Sequence, residues 1–108
     1  MTDDADLPRQ AVIAYFKLSD DQWGVPEDYE GLDELEQSLI QAIDESGVGE
    51  FDGIARGLGF FDMYMYGPSA DALFDVVEPL LRAFSPPAGS YVVKQYGEPG
   101  AEEVRVDL

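Results

Sequence analysis

The chain has 108 residues, with 23 Asp or Glu against 6 Lys or Arg, and neither cysteine nor histidine. A net charge of −17 excludes nucleic acid and anionic membrane as partners, because both are bound through cations that displace counterions. The missing residue types exclude disulfides, thiolate metal sites and the commonest general base, while 45% apolar residues suffice for one folded domain.

Residues 1–8 (MTDDADLP) read as a disordered acidic tail, and residues 9–108 as a single α+β domain. The tail lacks the apolar core of a signal peptide, and no apolar run approaches the roughly 20 residues that span a bilayer. A cytoplasmic setting is the expectation.

Residues 10–18 are rich in β-branched and aromatic side chains and predict a central strand. Val12, Ala14, Phe16 and Leu18 point one way; Ala11, Ile13, Tyr15 and Lys17 point the other. Residues 19–30 form a polar connection broken by Gly24 and Pro26, with Trp23 as its one large anchor. Residues 31–46 predict a helix on the spacing of Leu32, Leu35, Leu39 and Ile43, with Ile40 beside them. Gly47 supplies its C-cap.

Residues 49–58 predict a strand bent or bulged at its glycines. Residues 60–66 (FFDMYMY) alternate, with Phe61, Met63 and Met65 on one face and Phe60, Asp62, Tyr64 and Tyr66 on the other. The intervening 57–59 segment is the expected hairpin turn. Ser69 is the expected N-cap of a second helix striped by Leu73, Val76 or Val77, Leu80 and Phe84. Pro79 predicts a kink or restart there, and Pro86 and Pro87 end it. Residues 90–96 predict a strand, Glu98-Pro99-Gly100 a type II turn, and Val104, Val106 and Leu108 a final edge strand. The order β-α-β-β-α-β, plus a terminal hairpin strand, predicts the ferredoxin-like split β-α-β arrangement. Its antiparallel sheet carries two helices on one face, with the first and third strands central.

Several segments between residues 48 and 97 resemble a group of small, uncharacterised bacterial proteins. They are Gly49-Glu50-Phe51-Asp52-Gly53, Tyr64-x-Tyr66-Gly67-Pro68, Ala70-Asp71-Ala72-Leu73-Phe74 and Val77-Glu78-Pro79-Leu80-Leu81-Arg82. The resemblance implies an α+β fold and a bacterial origin, and no activity. In size and acidity the chain is also similar, as a class, to immunity proteins of bacterial toxin systems.

Between Leu18 and Ala55 stand twelve Asp or Glu and no Lys or Arg. Such a run steers basic partners at long range and can mimic phosphate spacing. The expected function is therefore an immunity or inhibitor protein that neutralises a basic toxin, such as a nuclease. Asp20, Asp21, Trp23, Glu27, Asp28, Tyr29, Asp33, Glu34, Glu36 and Asp44 are its binding residues, the two aromatics being the anchors. The first alternative is a housekeeping homodimer whose acidity only solubilises it. Its interface is the sheet face bearing Tyr15, Asp62, Tyr64 and Tyr66. The second is a divalent-metal or small-ligand domain using Glu50 and Asp52, two apart on one strand. No cofactor is implied, and no Ser or Gly motif suggests an enzyme.

Overall fold

The computed structural model describes residues 9–20, 22–97 and 100–108. The expected acidic tail, Asp21, and Glu98 and Pro99 of the expected turn lie outside the described residues.

The first strand, β1, spans Gln10–Lys17 and leads through a single 3₁₀ turn at Pro26–Tyr29 into α1, Leu32–Ser46. A hairpin of β2, Glu50–Gly57, and β3, Phe60–Gly67, follows. Next come α2 at Ala70–Ala83, β4 at Tyr91–Gln95 and β5 at Glu103–Asp107. All five strands form one antiparallel sheet in the order β2-β3-β1-β4-β5. The first four strands have the ferredoxin-like order, with β1 and β3 central, and β5 extends the sheet as an edge beside β4.

Alternation along the strands divides the sheet into a covered and an open face. Val12, Ala14, Phe16 and Leu18 of β1 and its end meet Phe61, Met63 and Met65 of β3 in the core. Leu32, Leu35, Leu39 and Ile43 of α1 and Ala70, Leu73, Phe74, Val77 and Leu81 of α2 close it. Complete burial of a Leu, Ile, Phe or Met side chain is worth about 1.5–3 kcal/mol, so this layer holds the fold.

Both helices depart from expectation at single residues. Ile40 lies on the solvent side of α1, 38% exposed, because it is one residue past Leu39 and so turned about 100° from the buried stripe. In α2, Leu81 and Phe74 add to the buried positions, while the expected Leu80 and Phe84 pack against the core from its edge. Pro79 does not restart the helix, which runs unbroken from Ala70 to Ala83. Ser69 caps it as expected, accepting from the Ala72 amide at 3.1 Å. The Gln10 side chain adds a second cap, accepting from the Ala70 amide at 2.7 Å.

The β2–β3 hairpin contains the bulge that its glycines suggested. Phe51 pairs with Met65, but Gly53 pairs with Tyr64, leaving Asp52 as the extra residue. The alternation that would align Glu50 with Asp52 is therefore interrupted. At the hairpin's open end the strands touch closely. A Cβ on Gly49 would lie 2.1 Å from the Tyr66 carbonyl oxygen, and one on Gly67 2.2 Å from that of Val48. Only glycine fits either place.

Candidate functional site

The connection from β1 to α1 is built by its own acidic side chains. Asp20 Oδ1 accepts from the Gln22 and Gly24 amides, both at 2.9 Å. Asp28 Oδ2 accepts from the Ser19 amide at 3.0 Å, the Ser19 hydroxyl at 2.9 Å and the Val25 amide at 2.9 Å. These bonds, the one from the Val25 amide foremost, hold Asp28 below the ordinary carboxylate range. The Gly59 amide donates to the Gln22 carbonyl at 3.1 Å, and the Leu18 amide to the Gly59 carbonyl at 2.8 Å. The connection is thereby tied to the β2–β3 turn.

This tie presents Trp23. Its ring lies across Gly57, where a Cβ would be 3.5 Å from it, yet 61% of the residue remains exposed. Next to Gly57 in the chain is Leu58, 91% exposed at the tip of the hairpin. Tyr29 turns inward instead. Its hydroxyl donates to the Trp23 carbonyl, its ring meets Phe61 edge-on at 5.7 Å, and the Arg56 guanidinium lies over it at 5.5 Å. Trp23 and Glu27 are thus displayed by a frame made of Asp20, Asp28 and Tyr29.

Along α1, Asp33, Glu34 and Asp44 are exposed and Glu36 is half-buried. Asp33, Glu36, Ile40 and Asp44 follow one another at spacings of three and four and form one row; Glu34 lies on the other flank. Among the described residues the ion pairs are Arg9–Glu50, Arg82–Glu78, Lys94–Asp71 and Arg105–Asp107. Of the acids between residues 20 and 52, only Glu50 takes part in these.

The open sheet face is the second surface, and strand register defines it. One transverse row runs Asp107, Tyr91, Tyr15, Asp62, Ala55 across β5, β4, β1, β3 and β2. The next runs Arg105, Val93, Ile13, Tyr64, Gly53, and the one beyond it ends on Tyr66 and Glu50. Tyr15 stacks on Tyr91 at 4.9 Å, and Phe60 meets both edge-on at 6.2 and 5.8 Å. Arg105 lies 3.9 Å over Tyr91, Lys17 5.6 Å over Phe60 and Arg9 5.3 Å over Tyr66.

Asp62 is the only acidic residue of β3, and the central strands press on it. Tyr15 stands opposite, and Phe60 and Tyr64 flank it. The Tyr64 hydroxyl reaches Oδ2 at 3.4 Å, while Oδ1 is enclosed and has no hydrogen-bond partner among the described residues. Burial holds the Asp62 carboxyl above its ordinary range, and burial pushes Tyr15 up to about 12, with the neighbouring Tyr64 and Asp62 adding to it.

Reading the chain alone missed Tyr91 and Arg105 as members of this face, and Leu58 at the tip. Alternation in β3 already set Phe60 beside Asp62 and Tyr64. Tyr91 and Arg105 needed the strand order, which no local pattern carries. Glu50 and Asp52 are both exposed, Glu50 bound to Arg9. The described residues contain no group of three or more acidic side chains arranged to hold a metal ion, and no helix long and apolar enough to cross a membrane.

Comparison with protein-family models, with curated proteins and with solved structures finds no match to the chain. The reading of function therefore rests on the two surfaces.

Proposed function

We propose that the chain is a small acidic protein-binding module, an immunity-type inhibitor that neutralises a basic bacterial toxin such as a nuclease. The observation that supports this reading is Trp23. An indole is kept mostly exposed over Gly57, beside the protruding Leu58, next to a helix whose acids lack ion-pair partners among the described residues. Exposed aromatic anchors within a charged rim carry most of the energy in protein interfaces, and the rim sets the association rate. Trp23 is the anchor and Leu58 its apolar neighbour. Glu27, Asp33, Glu34, Glu36 and Asp44 steer, while Asp20, Asp28 and Tyr29 keep the loop in shape.

The test is capture from a host lysate on the immobilised chain, followed by kinetics with the partner so identified. A basic protein is the expected catch. Trp23→Ala should weaken it by about 2 kcal/mol, roughly thirtyfold in Kd, mainly through faster dissociation. Charge reversal of Glu34, Glu36 and Asp44 together should slow association at least tenfold at low salt and flatten its salt dependence. A partner without excess positive charge, or kinetics untouched by both variants, would refute the reading.

A further inference from the structure

Cations and aromatic rings are paired across this molecule. Arg9, Lys17, Arg56, Lys94 and Arg105 each lie over a ring, and three of these pairs, with Tyr66, Phe60 and Tyr91, stand on the open face. Between them is one place where the pattern is incomplete. Tyr64 has no cation over it among the described residues, and the adjoining Asp62 carboxylate has an enclosed oxygen with no partner. An enclosed carboxylate without a counter-charge is costly, and native proteins keep few of them.

The strand beside that carboxylate is lined by small residues. Along β2 the open face carries Gly53, Ala55 and Gly57, opposite Tyr64, Asp62 and Phe60. None is larger than a methyl group, and a Cβ added at Gly53 would meet nothing within 4 Å. This leaves a trough walled by β3, and the Trp23 ring closes its Gly57 end. The bare row of Gly53, Ala55 and Gly57 leaves an unbranched chain ending in a positive charge unobstructed along β2. The acidic surroundings concentrate such groups.

We propose that this trough is a socket for one lysine or arginine side chain of the basic partner, with its methylenes along Gly53 and Ala55 and its cation on Asp62 against the Tyr64 ring. The socket rests on the reading of the chain as a binder of basic proteins, and adds the residue type it selects. The cation supplies Asp62 with a counter-charge that it lacks among the described ion pairs. An aromatic wall favours a cation over a neutral side chain of equal length. Trp23 then contacts the partner beside the entry.

The experiment is an NMR titration of the chain with Nα-acetyl-lysine methylamide and Nα-acetyl-arginine methylamide at physiological salt. Saturable shifts are expected at the amides of Asp62, Tyr64 and Ala55, with Kd in the millimolar range. Asp62→Asn, which keeps the side chain's shape, and Ala55→Leu, which fills the trough, should each weaken binding about tenfold. The Glu34, Glu36 and Asp44 charge reversal should leave it within about threefold. Shifts spread over α1, or unaffected by Asp62→Asn, would overturn the socket. So would a homodimer that occupies this face and that Tyr64→Asp dissociates in light scattering. Saturable binding of the blocked amino acids together with failed capture of any basic protein would leave the socket standing and remove the inhibitor reading. A captured basic partner indifferent to Asp62→Asn and Ala55→Leu would do the reverse.

Discussion

Single acidic residues in this chain do opposite things, and their hydrogen bonds separate them. Asp28 accepts three bonds from its own loop and is held ionised. Asp62 receives one long contact from Tyr64 and is pushed toward the neutral form by burial. A carboxyl whose pKa is higher in the folded state than in the unfolded state favours folding least when ionised. Its cost is absent below the ordinary value of 3.8, grows as pH climbs through the raised value, and is complete above it. Asp62→Asn, which removes the charge that burial disfavours, should therefore stabilise the protein at pH 7. The gain should fade as pH is lowered toward 4. Thermal melts of both proteins across that range check it; a variant less stable at pH 7 would contradict it. Tyr15 has the same sign in the alkaline range. Its pKa of about 12 means that folding loses support as pH rises from 10 to 12. Spectrophotometric titration of the six tyrosines should find one that resists ionisation to that pH.

At the scale of elements, two places oppose local preference. The β2–β3 hairpin turns on Leu58 and Gly59, with φ of 55° and 87°. That geometry belongs to a two-residue turn with both residues left-handed, where Asn-Gly is strongly favoured. Leucine there costs roughly 1 kcal/mol and buries nothing in return. Leu58→Asn should raise the melting temperature by several degrees; no rise would mean that the tip is held by contacts of the leucine itself. The second place is Pro79, exposed inside α2. Proline in a helix interior costs about 3 kcal/mol against alanine, and the stiffer unfolded chain returns up to about 1 kcal/mol. Pro79→Ala should stabilise by about 2 kcal/mol in denaturant titrations, and destabilisation would show that the packing of Leu81 and Phe84 depends on the proline. A strained leucine at the tip of a proposed binding surface is consistent with a residue kept for contact rather than for folding.

The whole molecule carries far more negative charge than its cations can balance, so its folded form works against self-repulsion. Screening acts within about 8 Å at physiological ionic strength, so salt should help. The melting temperature is expected to climb as NaCl goes from about 20 to 300 mM, and a fall over that range would contradict an extended acidic surface. Element order, the covered faces of β1 and β3, the Ser69 cap and the bulge near Gly53 were all legible in the chain. Each is written in neighbouring residues, as a period of two or 3.6 or as a preferred cap. Ile40 was set beside the buried stripe but faces solvent, because one position rotates a helical side chain by about 100°. The lopsided distribution of acids was equally plain, and so was the prominence of Trp23.

Sequence by itself determined that this is a ferredoxin-like α+β domain with an acidic connection and first helix, because hydrophobic period and charge are local properties. Tertiary structure alone decided that Trp23 lies over Gly57, that Tyr29 turns inward, and that Asp62 is enclosed opposite Tyr15 with a bare row of Gly53, Ala55 and Gly57 at its side. Those neighbours are distant along the chain. They meet only because the register of β1, β2 and β3 sets which residues face one another, and register is settled by the packing of the whole sheet against its two helices.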